Sequence, residues 1–167
     1  MDVCRADVPI SGISVRSARC AVGARGPNPS GGPGNRAVAW IERRNLNAET
    51  IEGLIPHAGR MCLLERVLDW SDDEIRCETA SHLWPDHPLR RDGRLAGIHL
   101  IEYGAQAMAV HGGLLARARG QALAAGYLAG LRAIELHRDS LDDLSGPLQI
   151  WARRHAAIDA SMMYQFE

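Results

Sequence analysis

The chain is 167 residues long and 46% hydrophobic, enough for one globular domain that buries about two-thirds of its unfolded surface. Its 19 basic and 20 acidic residues leave a net charge of -1, which supplies no general attraction to nucleic acid or to an anionic membrane. Every basic residue is arginine, and the absence of lysine excludes Schiff-base and lysine-nucleophile chemistry.

Residues 1–36 carry Arg5, Arg16, Arg19, Arg25 and Arg36 against Asp2 and Asp7, and close on a stretch of Gly, Pro, Asn and Ser. With no periodic apolar face, this segment is expected to be a disordered N-terminal extension, a linker or tail rather than a nucleic-acid arm, and to be removable with little loss of fold. It holds no apolar run of signal-peptide type, and no run in the chain approaches the ~20 residues that span a bilayer, so a cytoplasmic protein without membrane association is expected. The domain proper is placed at 37–167. The cysteines, Cys4, Cys20, Cys62 and Cys77, form no Cys-x-x-Cys pair and have no His at ligand spacing, so neither a metal site nor a redox motif is indicated.

Asn47 to Pro56 predicts a short helix, capped by Asn47, acidic in its first turn and stopped by Gly53 and Pro56. Two strands follow, Arg60 to Trp70 and Glu74 to Thr79, joined by a turn at Ser71-Asp-Asp. The stretch from His82 to Arg94 is too rich in proline and charge for a strand interior. From Gly97 a long proline-free run of Ala, Leu, Ile, Met and Val predicts a central helix with apolar contact on most sides, ending at Arg117-Ala-Arg-Gly120. Ala125 to His137, Gln149 to His155 and Ser161 to Glu167 read as three more strands. This order predicts an α+β fold, an antiparallel sheet wrapped around one long helix.

Polar residues stand out on that helix. Glu102 and Gln106 lie one turn apart and share a face, with His99 and Tyr103 beside it. An unpaired carboxylate inside an apolar helix is costly. Either Glu102 lies on a wetted edge and pairs with an arginine, or it serves a site to which the preceding loop brings His82 or His87. A neutral imidazole suits a base near pH 7, and a carboxyl whose apolar surroundings push its pKa upward suits a proton donor.

Two motifs carry a family resemblance. Leu54-Ile-Pro-His-Ala-Gly-Arg-Met-Cys-Leu-Leu-Glu-Arg-Val-Leu-Asp69 is an Ile-Pro-His opening that leads into an apolar strand, and Ala96-Gly97-Ile-His-Leu-Ile-Glu102-Tyr-Gly-Ala-Gln106 sets an acid and a Gln behind a Gly. Over about Asn47 to Glu167 the chain resembles the hotdog-fold 3-hydroxyacyl-[acyl-carrier-protein] dehydratases, most closely those of aryl-polyene pigment clusters. The resemblance implies that a His removes the α-proton of a 3-hydroxyacyl thioester while the helix carboxyl protonates the departing hydroxyl. It assigns Glu102 as the acid, Gly97 as an oxyanion donor, and Gln106 to the same substrate site. For the base, spacing before the glycine favours His87, whereas the position directly after a strand favours His82, the preferred assignment.

The resemblance also implies no metal and no cofactor beyond the phosphopantetheine of an acyl carrier protein. That carrier is an expected partner, as is a second hotdog subunit in a homodimer or heterodimer. Ala96 stands where the family has Pro, and relatives continue past the position of Glu167 into a final strand, so an exposed sheet edge is expected there. A hotdog thioesterase acting through Glu102, and a catalytically weak partner subunit, are the alternative functions. His57 is expected to support the start of the first strand, and His111, His137 and His155 to have no function. Trp84 is expected to pack locally or to line an acyl tunnel, and Arg90, Arg91 and Arg94 to be solvated or to meet a phosphate.

Overall fold

The computed structural model describes residues 13–22, 44–121, 126–158 and 161–167. Its strands are β1 (Ile13–Val22), β2 (Arg44–Asn47), β3 (Arg66–Trp70), β4 (Glu74–Thr79), β5 (Gly126–Leu136), β6 (Leu148–Ile158) and β7 (Ser161–Phe166). Its helices are α1 (Ala48–Glu52) and α2 (Leu100–Ala118), the latter led in by a 3₁₀ turn at Gly97–His99. The strands form one sheet in the order β2-β3-β4-β6-β7-β1-β5, every pairing antiparallel. The sheet wraps around α2, as the element order predicts for a hotdog fold.

Local chemistry accounts for most of the elements. The Asn47 side chain accepts the Thr50 N–H and caps α1, and Gly53 ends it. Ile75, Cys77 and Thr79 of β4 point inward at alternate positions, the period-two signature of a strand with one covered face. α2 packs on β4 and β6 and buries Tyr103, Ala107, Met108, Val110 and Leu114 against Val67, Ile75, Ile150, Ala152, Tyr164 and Phe166. At Gly104 sheet and helix approach so closely that a first side-chain carbon there would lie 2.2 Å from the Phe166 ring. No described helix is long and apolar enough to cross a membrane.

Three expectations are corrected. The segment placed in a disordered extension contains β1, which pairs with β7 on one side and β5 on the other and buries Ile13, Val15 and Ala18 at 3% exposure or less. Its apolar alternation is hidden in the sequence because a register shift between Val15 and Ala18 changes the phase. The Gly- and Pro-rich remainder of that extension lies outside the described residues. Second, β7 is not an open edge, because β1 covers its outer side. Among the described residues the edges are β2 and β5, and β5 is largely solvent-exposed, with Ile134 and Leu136 at 42% and 38%. Third, the strand expected from Arg60 begins only at Arg66. Before it the chain makes a 3₁₀ turn at Gly59–Met61, then runs along α2 with the Met61 carbonyl and Leu63 N–H given to a helix side chain, and meets β4 only through the Thr79 hydroxyl on the Leu63 carbonyl and the Glu65 N–H on the Glu78 carbonyl.

Candidate active site

The helix side chain that takes those backbone groups is Gln106. It is fully buried; its Oε1 accepts the Leu63 N–H at 2.8 Å and its Nε2 donates to the Met61 carbonyl at 2.8 Å. Backbone donor and acceptor together fix which end of the amide is which. The second Nε2 hydrogen is therefore left for Glu102, whose Oε1 lies 2.9 Å away one turn earlier on α2. His57, just after Pro56, approaches the same oxygen, with Nε2 at 3.1 Å. Both side chains are about one-third exposed, 30% for His57 and 31% for Glu102. The Glu102 carboxyl thus lies on a partly wetted edge of the helix, and its neighbour there is an imidazole rather than an arginine.

A second polar group lies next along α2. The buried Tyr103 hydroxyl is 3.0 Å from Ser81 Oγ and 3.0 Å from His87 Nε2, while the Leu89 N–H donates to His87 Nδ1 at 3.1 Å. Because Nδ1 is an acceptor, the ring proton sits on Nε2 and is given to Tyr103, which passes its own hydrogen to Ser81. Both nitrogens of His87 are thereby used. Burial, followed by the positive charges of Arg90 and its neighbours, pushes the His87 pKa down to about 4, and burial pushes Tyr103 up to about 12.

His82 stands in the 3₁₀ turn Ser81–Leu83, directly after β4. The residue is 1% exposed, and its contact with the Leu144 backbone is too poorly formed to satisfy either ring nitrogen. Burial lowers its pKa, opposed by the Leu144 backbone and Glu65 and assisted by Arg90. It is not bonded to Glu102 of the same chain.

Arg90 organises the loop rather than facing solvent. Its guanidinium donates to the His82 carbonyl at 3.0 Å, to the Gly93 carbonyl at 2.7 Å and to the Asp142 carboxylate, and Asp142 also accepts the Leu95 N–H. Arg91 binds the carbonyls of Pro88 and Arg90, leaving Arg94 exposed. Trp84 packs locally, with the Arg60 guanidinium 4.4 Å from its ring centroid, and Arg60 also pairs with Asp86.

Gly97 is required by close approach. A first side-chain carbon there would lie 1.9 Å from the Arg138 carbonyl oxygen. Its N–H donates to the Asp139 carbonyl at 2.8 Å, which corrects its expected role as oxyanion donor. The next amide, of Ile98, belongs to the opening turn of the helix, whose first N–H groups lack an acceptor within the helix.

The histidine expected to be idle, His111, is a buried link. Its Nε2–H donates to the Ser71 carbonyl at 2.9 Å, and its Nδ1 accepts from the Tyr164 hydroxyl at 2.9 Å. A recess of about 310 Å³ against β1, β5 and β7, lined by Arg19, Leu131, Arg132 and Met163 among others, shares no residue with the site. Among the described residues no cluster of His, Cys, Asp and Glu is arranged to hold a metal ion.

The geometry joins Glu102 to Gln106 as the helical spacing predicts, and separates His82 from His87 by their bonding. Sequence reasoning missed the partnerships of His57, Tyr103 and Arg90. The Ile-Pro-His motif carried the signal for the first of these, but only the fold brings that motif to the helix.

A family model described as ApeP-like, ApeP dehydratase, matches residues 49–167. Among solved structures the chain is similar to one titled "The Dehydratase Heterocomplex ApeI:P from Xenorhabdus doucetiae", with 24% identity and a TM-score of 0.59 over 74% of this chain and 91% of that one. That likeness is one of fold. No curated protein matches the chain.

Proposed function

The chain belongs to the ApeP-like dehydratase family, and from that premise we propose that it dehydrates a 3-hydroxyacyl thioester, carried on the phosphopantetheine of an acyl carrier protein, to the trans-2-enoyl thioester in aryl-polyene-type biosynthesis. His82 takes the C2 proton as general base. The C3–O bond breaks as Glu102 gives its proton to the departing hydroxyl, which leaves as water, and the C2–H electron pair becomes the C2=C3 double bond. Charge developing on the thioester oxygen is met by the opening turn of α2, through the Ile98 N–H and the positive end of the helix. Gln106 supports the acid and is not itself spent on substrate.

The observation that carries this reading is the contrast between the two loop histidines. Both nitrogens of His87 are committed to Leu89 and Tyr103, whereas the buried His82 has no well-formed hydrogen bond, only a loose contact with the Leu144 backbone. A buried imidazole held neutral with an unused lone pair is poised to accept a proton.

His82 and Glu102 are not bonded within one chain, and the similar solved structure is of a heterocomplex. We therefore include a second hotdog subunit, the same chain or a related one, in the working form. The same likeness favours a second reading, in which this chain chiefly stabilises a more active partner. Incubation with a 3-hydroxyacyl carrier-protein thioester separates the possibilities. Enoyl product supports dehydration, free carrier thiol supports a thioesterase, and turnover seen only when a hotdog partner is added, and insensitive to His82→Ala, supports the stabilising role.

A further inference from the structure

We infer that His57 is a positioning residue for the acid: with Gln106 it occupies one oxygen of Glu102, leaving the other, Oε2, to carry the proton that is transferred. The inference rests on the dehydratase reading and extends it to a residue outside the central helix and the histidine loop.

The steps are geometric. Backbone contacts at Met61 and Leu63 fix the Gln106 amide, so the group it presents to Glu102 Oε1 is an N–H. His57 Nε2 reaches that same oxygen, while its Nδ1 is buried and makes no hydrogen bond. A hydrogen on Nδ1 alone would leave a buried donor unsatisfied and turn the Nε2 lone pair toward a carboxyl lone pair. A hydrogen on Nε2 has an acceptor, Oε1, 3.1 Å from the nitrogen, a close polar contact that a turn of the ring makes into a hydrogen bond. Neutral or charged, His57 therefore presents an N–H to Oε1.

Two donors on Oε1 suit the ionised product of proton transfer and resist rotation of the carboxyl about its terminal torsion, which on its own is broad and two-fold. The proton then belongs on Oε2. The loop is built to hold the imidazole in place: Pro56 fixes the backbone just before it, and the Glu52 carboxylate accepts the Gly59 N–H at 2.6 Å just after it.

Loss of a hydrogen bond to a charged group lowers a rate by about ten- to a hundred-fold when that bond matters most in the transition state. The full-length chain, with its hotdog partner where turnover requires one, is assayed on the N-acetylcysteamine thioester of a 3-hydroxyacyl group. His57→Phe fills the space without a donor and should lower kcat by that factor with KM little changed. His57→Gln restores an N–H near the Nε2 position and should recover most of the rate. A His57→Phe enzyme as fast as the parent, or a His57→Gln enzyme as slow as His57→Phe, overturns the inference. A fully active Glu102→Gln enzyme would instead remove the acid on which the inference stands. Independently of turnover, nitrogen-15 correlation spectra of the parent should give His57 a hydrogen on Nε2; a neutral ring bearing it on Nδ1 overturns the inference as well.

Discussion

His82 and His87 share one loop and nearly equal burial, yet their chemistry diverges because of what touches their nitrogens. Replacing His87 by Phe would leave the Tyr103 hydroxyl with Ser81 alone and strand the Leu89 N–H, which is worth roughly 1–3 kcal/mol when left unsatisfied, so the first effect expected is a lower urea midpoint. Acid should act through the same ring. Its folded pKa, about 4, lies below its ordinary 6.5, so the unfolded chain binds the proton more readily between those values. The contribution of His87 is fully present above pH 6.5 and is lost as pH falls from there toward 4. His82 and His111, also lowered by burial, act in the same direction. Melting temperatures measured across that window should decline with acidification, and His87→Gln, which keeps a donor for Tyr103 without a titrating ring, should flatten the decline. A His87→Gln protein with the parent's slope would contradict this assignment. Of these residues the sequence made Glu102 and Gln106 legible, because helical spacing places them on one face. The partners of His57 and His87 were not legible, since contacts between a loop and a helix depend on how each loop is laid over the sheet.

Among the elements, β1 is the one whose loss should be felt most. Burying Ile13 and Val15 contributes roughly 1.5–3 kcal/mol each, and removing the strand would also strip β7 and β5 of a shared neighbour. Deletion of residues 1–22 should lower the urea midpoint markedly and promote association through the opened strands; an unchanged midpoint would mean that β1 adds nothing to the sheet. The strand escaped the sequence reading because its alternation is short, arginine-rich and out of phase across the register shift. β4 and α2 were legible because their apolar periods run unbroken. The false start assigned to β3 has a similar lesson: Met61 to Leu64 is apolar enough for a strand, but its backbone is bonded to Gln106. Gly104→Ala tests the close approach of helix and sheet there, and overpacking against Phe166 should cost about 1–3 kcal/mol with the site's hydrogen bonds unchanged.

For the molecule as a whole, the wrap of an antiparallel sheet around one helix follows from the order of periodic segments, and the dehydratase family follows from residues 49–167. The placement of β1 between β7 and β5 does not follow from either. What the fold achieves for chemistry is to bring His57 and the Met61 and Leu63 backbone to Glu102 and Gln106 on α2, and Ser81 and His87 to Tyr103 beside them. The most direct measurement of the central claim is the conversion of a 3-hydroxyacyl carrier-protein thioester, followed by mass spectrometry, in the parent, His82→Ala, Glu102→Gln and the double variant, each with a hotdog partner added where turnover requires one. Enoyl product should form in the parent and fall by roughly 10²–10⁴-fold in each single variant, with the double variant little worse because base and acid act as a unit. Parent-like turnover in His82→Ala or Glu102→Gln, or release of free carrier thiol by the parent in place of enoyl product, would contradict it.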